Sequence, residues 1–141
     1  MRLPQLVIQY GMILTGMEFK TQENLAFLED LRGLMDEFPE TTLVGEIGDD
    51  RPLERMAEYT RGNNRLHMAY SFTMLGDDHT PEHFRSRVEG FFDGAPDGWP
   101  CWSFSNHDVR RHVSRWAGSG TDPEALAKQS IALLASLPGT L

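Results

Sequence analysis

The chain has 141 residues, 21 acidic against 13 basic side chains for a formal net charge of -8, one cysteine and 40% apolar residues. This is a soluble globular composition with room for one core and not two. The acidic balance leaves no basic stripe to neutralise a phosphate backbone, which excludes nucleic acid as an expected partner, and the lone Cys101 excludes an internal disulfide and suits a reducing, cytoplasmic setting.

In chain order, the apolar stretch from Leu3 to Leu14 is interrupted by Pro4, Gln5, Gln9 and Gly11 and reads as neither a signal peptide nor a membrane span, so no membrane partner is expected. A helix is predicted over Glu23 to Phe38, where Leu25, Leu28, Leu31, Leu34, Met35 and Phe38 recur at helical spacing, with Thr21 as cap and Pro39 as stop. Thr41 to Ile47 is a β-branched and apolar run without alternation, as expected of a strand buried on both faces. A short helix over Pro52 to Tyr59 follows, then a turn at Gly62-Asn63-Asn64 and a second strand from Leu66 to Phe72.

Thr80-Pro81-Glu82 opens a helix carrying Phe84, Val88, Phe91 and Phe92 on one side, closed by Gly94 and Pro96 before a third strand over about Trp99 to Ser105. A further helix is expected after Asn106-His107-Asp108. The last begins at a Thr-x-x-Glu capping box, Thr121 with Glu124, and runs to about Ser136, with Ala125, Leu126, Ile131, Leu133 and Leu134 marking a buried face. Strands alternating with helices imply right-handed crossovers and a parallel sheet.

Parallel α/β architectures hold their reactive residues at the carboxyl ends of strands. The polar residues expected there are Glu46 after the first strand, Ser71 at the end of the second, and Asn106-His107-Asp108 after the third. An apolar wall such as Leu43-Val44-Gly45 disfavours charge on an adjoining carboxyl and suits a proton donor, although the position also fits a solvated or capping glutamate. The triplet can hydrogen-bond several vicinal hydroxyls and hold negative charge near a developing cation, although Asn and Asp also populate plain turns. His79 and His83 stand four apart, but Pro81 between them spoils helical ligand geometry and no metal site is expected. His67 and Trp102 are read as core residues, and Trp116 suits either a core or a sugar-stacking position.

Leu43-Val44-Gly45-Glu46-Ile47-Gly48 resembles the general-acid strand of family 13 glycoside hydrolases, the α-amylase superfamily, in its bacterial α-glucosidase and oligo-1,6-glucosidase branch. Phe104-Ser105-Asn106-His107-Asp108, followed by the Arg-x-x-Ser-Arg-Trp of Arg111 to Trp116, resembles the same family's Asn-His-Asp region. Asn24 to Leu28, Arg65 to Phe72, Trp99 to Trp102 and Ser136 to Thr140 are similar to that branch too, so the resemblance spans about Lys20 to Leu141.

The resemblance implies an α/β fold, a partial TIM (β/α)8 barrel of about three consecutive βα units with a parallel sheet. Residues 20–141 would be part of the catalytic barrel domain, and residues 1–19 a divergent lead-in similar only at Tyr10-Gly11-Met12. It implies a retaining α-glucosidase that hydrolyses terminal α-linked glucose from oligosaccharides without a cofactor. In that reading Glu46 matches the acid/base and Asp108 the transition-state stabiliser. His107 matches a sugar-binding histidine, Asn106 and Arg111 shape the same rim, and Gly48 and Phe72 line the aglycone side.

The departure from the pattern concerns the nucleophile, which the family carries in an Arg-x-Asp motif on the preceding strand. No Arg-x-Asp occurs in this sequence, and a whole barrel takes ~250 residues. The chain therefore looks like a fragment covering the fifth to seventh βα units, as a truncated or reinitiated frame or a cut piece would give. Exposed sheet edges would favour self-association. The alternative function is a noncatalytic remnant that binds sugar or a partner chain.

Overall fold

The computed structural model describes Val7–Ile8 and residues 21–141, so the rest of the expected lead-in lies outside the described residues. Three parallel strands, β1 (Val7–Ile8), β2 (Val44–Ile47) and β3 (Met68–Ser71), form one sheet in the order β1-β2-β3. The chain is thus α/β, a sector of a parallel barrel. β1 was not foreseen: its apolar pair is too short to show a period amid the surrounding Pro, Gln and Gly.

The expected third strand is present only as isolated parallel bridges, Ala69 to Pro100 and Cys101 to Thr140. Pro100 explains the contraction, because it has no amide to donate into a ladder. The remaining bonds run from Cys101 N to Ala69 O at 2.8 Å, from Thr140 N to Pro100 O at 2.9 Å and from Trp102 N to Thr140 O at 2.8 Å. The β3 edge is therefore extended first by residues 100 and 101 and then by the chain's C-terminal segment.

Helices flank this sheet. α1 (Thr21–Asp36) stops two residues short of its expected end, where Glu37 and Phe38 turn back to the carbonyls of Leu34 and Met35 at 3.2 and 3.0 Å. Its buried stripe is narrower than the sequence suggested: Leu28 and Met35 are in the core, whereas Leu34 and Phe38 are exposed. α2 (Pro52–Thr60) continues into a single 3-10 turn over Arg61–Asn63, in which Gly62 and Asn63 take φ of 76° and 52°. β3 likewise runs into a 3-10 turn, Phe72–Met74.

α3 (Pro81–Gly94) is capped by the Thr80 hydroxyl, which accepts from His83 N at 3.2 Å. After α4 (His112–Trp116), α5 (Pro123–Ser136) is capped by Asp122, whose carboxylate accepts from Glu124 N at 2.9 Å. The expected cap Thr121 instead accepts from Gly118 N at 3.1 Å, because the residue directly before Pro123 already holds the extended backbone that a cap requires. The expected buried face of α5 is only partly realised: Leu126, Leu133 and Leu134 are half-buried and Ile131 is exposed.

The core lies between the sheet and these helices. Leu28, Leu43, Met56 and Phe91 fill its centre, and Phe84, Phe104 and Trp116 form an aromatic corner with ring centroids 5.1 to 5.9 Å apart. Trp116 is therefore a core residue, as is Trp102, whose indole N–H reaches Pro138 O at 2.7 Å. His67 is half-buried and accepts from Leu43 N at 3.0 Å, a bond that requires an unprotonated Nδ1. Burial, and then the Arg32 charge, accordingly hold its pKa down, with Asp36 opposing.

Gly139 makes the C-terminal bridge possible. Its φ of 123° is left-handed, and an added Cβ would lie 2.3 Å from the Pro100 carbonyl oxygen. Gly120 also has positive φ, 84°, but its Cβ would meet nothing within 4 Å. Gly139→Ala should therefore cost clearly more stability than Gly120→Ala, which carries a backbone penalty of about 1 kcal/mol alone. Urea midpoints of the two variants compare them, and equal losses would show that the close approach to Pro100 does not matter.

Candidate active-site rim

Glu46 is the third residue of β2 and is buried, 7% exposed. The register sets it directly against Tyr70 of β3, and because both strands alternate in phase the two side chains share one face. The Tyr70 hydroxyl meets the Glu46 carboxylate and the Asn106 amide, with the Asp108 charge close enough to act on it. Burial first, and then Glu46, push the phenol far above its ordinary ionisation range; Asp108 adds to this and Asn106 opposes it. Tyr70 thus remains a neutral hydrogen-bonding group beside Glu46.

Asn106 is oriented by its own loop. Its Oδ1 accepts from Asp108 N at 3.0 Å, an Asx turn that leaves Nδ2 for the Tyr70 side. That nitrogen is buried and makes no hydrogen bond of full geometry, so the rim holds a donor in want of an acceptor. Beside it stand His107 and Asp108, Nε2 to Oδ1 at 3.4 Å, with side chains 68% and 61% exposed. The arrangement combines a buried carboxyl, a phenol, an amide donor and an open imidazole and carboxylate, a set suited to gripping hydroxyl groups next to a proton-transfer site.

Of the residues expected at this rim, Glu46 and Asn106 therefore stand beside one hydroxyl within reach of the Asp108 charge, with His107 next to Asp108. Phe72 is exposed just beyond the end of β3, its ring edge-on to Tyr70 at 6.4 Å, and Gly48 is half-buried just after β2. Arg111 is exposed at the position before α4, where its charge acts on His112. Ser71 is turned to the opposite face of β3 and is engaged with the Thr73 hydroxyl at 3.0 Å. Tyr70 is the residue that sequence reading missed. The available signal was its place two residues before the end of the Leu66 to Phe72 run, in phase with Glu46.

The two histidines weighed as ligands are otherwise engaged. His83 Nε2 meets Thr73 O at 3.0 Å and its Nδ1 lies 3.3 Å from Asp78, while His79 stacks on Trp116 at 5.3 Å. Among the described residues no three His, Cys, Asp or Glu side chains gather as a metal site, and no helix is long and apolar enough to cross a membrane.

A carboxyl, an amide and a second carboxylate thus stand where parallel barrels carry their functional residues, at the carboxyl ends of the strands. No family model matches the chain. A probable alpha-glucosidase of Rhizobium meliloti (strain 1021) is 51% identical over 121 residues, 84% of this chain and 22% of that protein. The crystal structure of the alpha-glucosyl transfer enzyme XgtA superposes with a TM-score of 0.78 at 47% identity, over 84% of this chain and 22% of that one. The trehalulose synthase MutB of Pseudomonas mesoacidophila MX-45 superposes at 0.66 with 22% identity, covering 82% and 23%, which bears on fold alone. The chain belongs to family 13 of the glycoside hydrolases, the α-amylase superfamily, and spans about a fifth of the length of these relatives.

The loop that carries the triplet ends at His112, whose Nδ1 pairs with the Ser105 hydroxyl at 3.1 Å. Burial, then the charges of Arg115 and Arg111, hold its pKa below the ordinary 6.5. The unfolded chain then takes up this proton more readily than the folded one. The stability linked to His112 is therefore whole above about pH 6.5 and is lost as pH falls through the lowered folded value. In an NMR titration the His112 ring should show a midpoint below 6.5; a midpoint at or above it contradicts the burial argument.

Proposed function

We propose that residues 20–141 carry the acid/base half of a retaining α-glucosidase site, within the fifth to seventh βα units of a family 13 barrel. The observation that carries this reading is the pairing of Glu46 with Tyr70 across adjacent parallel strands, with Asn106 beside the Tyr70 hydroxyl and the Asp108 charge acting on it. It is supported by the 51% identity to a probable alpha-glucosidase and by the superposition on an alpha-glucosyl transfer enzyme.

In this mechanism a protonated Glu46 gives its proton to the glycosidic oxygen as the bond to glucose breaks, and the resulting carboxylate later takes a proton from the attacking water. Asp108 and His107 hold hydroxyls of the cleaved glucose, and the Asp108 charge favours the oxocarbenium-like transition state. Asn106 and Arg111 shape the substrate-binding rim, and Phe72 with Gly48 borders the leaving group. No cofactor enters. A cytoplasmic setting accords with the single cysteine, and residues 1–19 are read as a lead-in to the barrel part.

The nucleophile has to come from elsewhere. A retaining enzyme needs a second carboxyl group about 5–5.5 Å from the acid/base, on the other side of the scissile bond. In the sheet β1 is the strand beside β2, and the sequence holds no Asp or Glu before Glu18. Alone, the chain is accordingly a sugar- or partner-binding unit. Its outermost described strand, β1, and the exposed Leu34, Phe38 and Ile131 favour self-association or docking of a complementary part of a barrel.

The purified chain should release no p-nitrophenol from p-nitrophenyl α-glucoside but should bind 1-deoxynojirimycin. Asp108→Asn should weaken that binding by about 10- to 100-fold, the loss expected for one charged hydrogen bond. Turnover that disappears in Glu46→Gln would overturn the half-site reading, since it would place a nucleophile within this chain. Absence of inhibitor binding would overturn the rim assignment.

A further inference from the structure

The Asn106-His107-Asp108 loop has to hold one shape for its three side chains to act together, yet residues 105 to 111 contain no helix or strand. Its order is imposed by a side chain outside it. The Arg115 guanidinium, with the side chain only 8% exposed, donates to three backbone carbonyls from three segments: Nη2 to Phe104 O at 2.8 Å, Nη1 to Arg110 O at 2.5 Å and Nε to Gly76 O at 2.8 Å. Phe104 and Arg110 bracket the loop, so one planar group fixes the separation of its two ends. Gly76 belongs to the segment after β3, so the same group ties the loop to the neighbouring strand end.

Two further contacts hold the fork in place. Arg115 lies over the Trp116 ring at 5.3 Å, and the Trp116 indole N–H donates to the same Gly76 carbonyl at 3.0 Å. The loop neck is closed a second time by Ser105, whose hydroxyl accepts from His112 N at 2.9 Å. The Asp77 carboxylate is 3.9 Å away and itself 90% exposed, so Arg115 serves the carbonyls more than an ion pair. A fork with five donors in one plane can span these three acceptors; a lysine ammonium, a compact donor on a flexible stem, cannot.

We propose that Arg115 is the positioning residue of this site, setting the geometry of Asn106, His107 and Asp108 through the two ends of their loop without touching substrate. The inference rests on the glucosidase reading only for what the loop does; the positioning itself can be read without sugar.

The test uses the purified chain, its Arg115→Lys and Arg115→Ala variants, and Thr41→Ala, which removes the hydroxyl bonded to the Met35 and Phe38 carbonyls after α1, as a control away from the loop. Backbone amide exchange is followed at Asp108, which donates to Asn106, and at Cys101, which donates to Ala69. Arg115→Lys and Arg115→Ala should speed exchange at Asp108 by about tenfold or more, as expected when ~1.4 kcal/mol of local order is lost, and leave Cys101 unchanged. Millimolar ethylguanidinium, but not ethylammonium, should restore slow exchange in Arg115→Ala, a rescue that a purely space-filling role would not give.

Equal acceleration at Asp108 and Cys101, as general destabilisation in the Thr41→Ala control would produce, overturns the proposal, as does an unchanged Asp108. In the 1-deoxynojirimycin assay, Arg115→Lys should weaken binding at least as much as it loosens the loop. If the unaltered chain binds no inhibitor while the exchange pattern holds, the glucosidase reading fails and the positioning role stands.

Discussion

Burying a carboxylate at the end of a strand obliges a protein to surround it with polar partners, and Glu46 imposes that constraint on everything near it. In an apolar wall the nearest source of such a partner is the next strand. The parallel register supplies it by setting Tyr70 opposite Glu46. The next loop, after the Pro100 and Cys101 bridges, sets beside that phenol an asparagine whose amide is already turned by its own backbone. Close packing of β2 on β3 depends on small residues at the pairing just before this one. Gly45 stands against Ala69, and a Cβ on Gly45 would fall 2.4 Å from Leu66 Cδ1.

The outer shell exists to keep that rim still. The segment after β3, the triplet loop and α4 meet at the aromatic corner of Phe84, Phe104 and Trp116, where His112 and His79 also pack. An apolar corner of this kind has no directional preference and would tolerate several loop shapes. The direction comes from hydrogen bonds made at its edge, with Arg115 reaching three carbonyls and Ser105 bonding to both the amide and the ring of His112. Packing sets where the loop lies, and the polar clasp sets what shape it takes.

The sequence disclosed what local chemistry controls. Helix α3 was legible because Thr80 and Pro81 form a start that no neighbour alters, and β2 because a continuous apolar run has few other fates. What escaped was set by partners distant in the chain. β1 is two residues whose strand character comes from pairing with Val44 and Gly45, and no period can show in so short a run. The third strand was overread because its apolar and aromatic residues suit a strand, while Pro100 denies the ladder a donor. Glu46, Asn106 and Asp108 were legible as strand-end polar residues, whereas Tyr70 was hidden because its role depends on a register that the sequence does not display. Arg115 was visible only as part of a motif, for its three acceptors are backbone carbonyls and leave no trace in residue identity.

A barrel sector of this size is under a tension that a whole barrel escapes. Closing a parallel sheet on itself removes its edges and covers every helix on the side that faces its neighbours. Here the sheet closes partly by its own means. The C-terminal segment adds beyond Cys101, and the left-handed Gly139 lets it approach the Pro100 carbonyl. On the other side β1 is the outermost described strand, and on the helical layer Leu34, Phe38 and Ile131 remain exposed. The flank completed within the chain is the one that supports the triplet loop. The flank beyond β1 is the one on the Glu46 side of the sheet, where the proposed retaining mechanism has its second carboxylate. On the proposed reading, extending the sheet past β1 and supplying the second carboxylate would act on the same side of Glu46, so the fold and the chemistry share one flank.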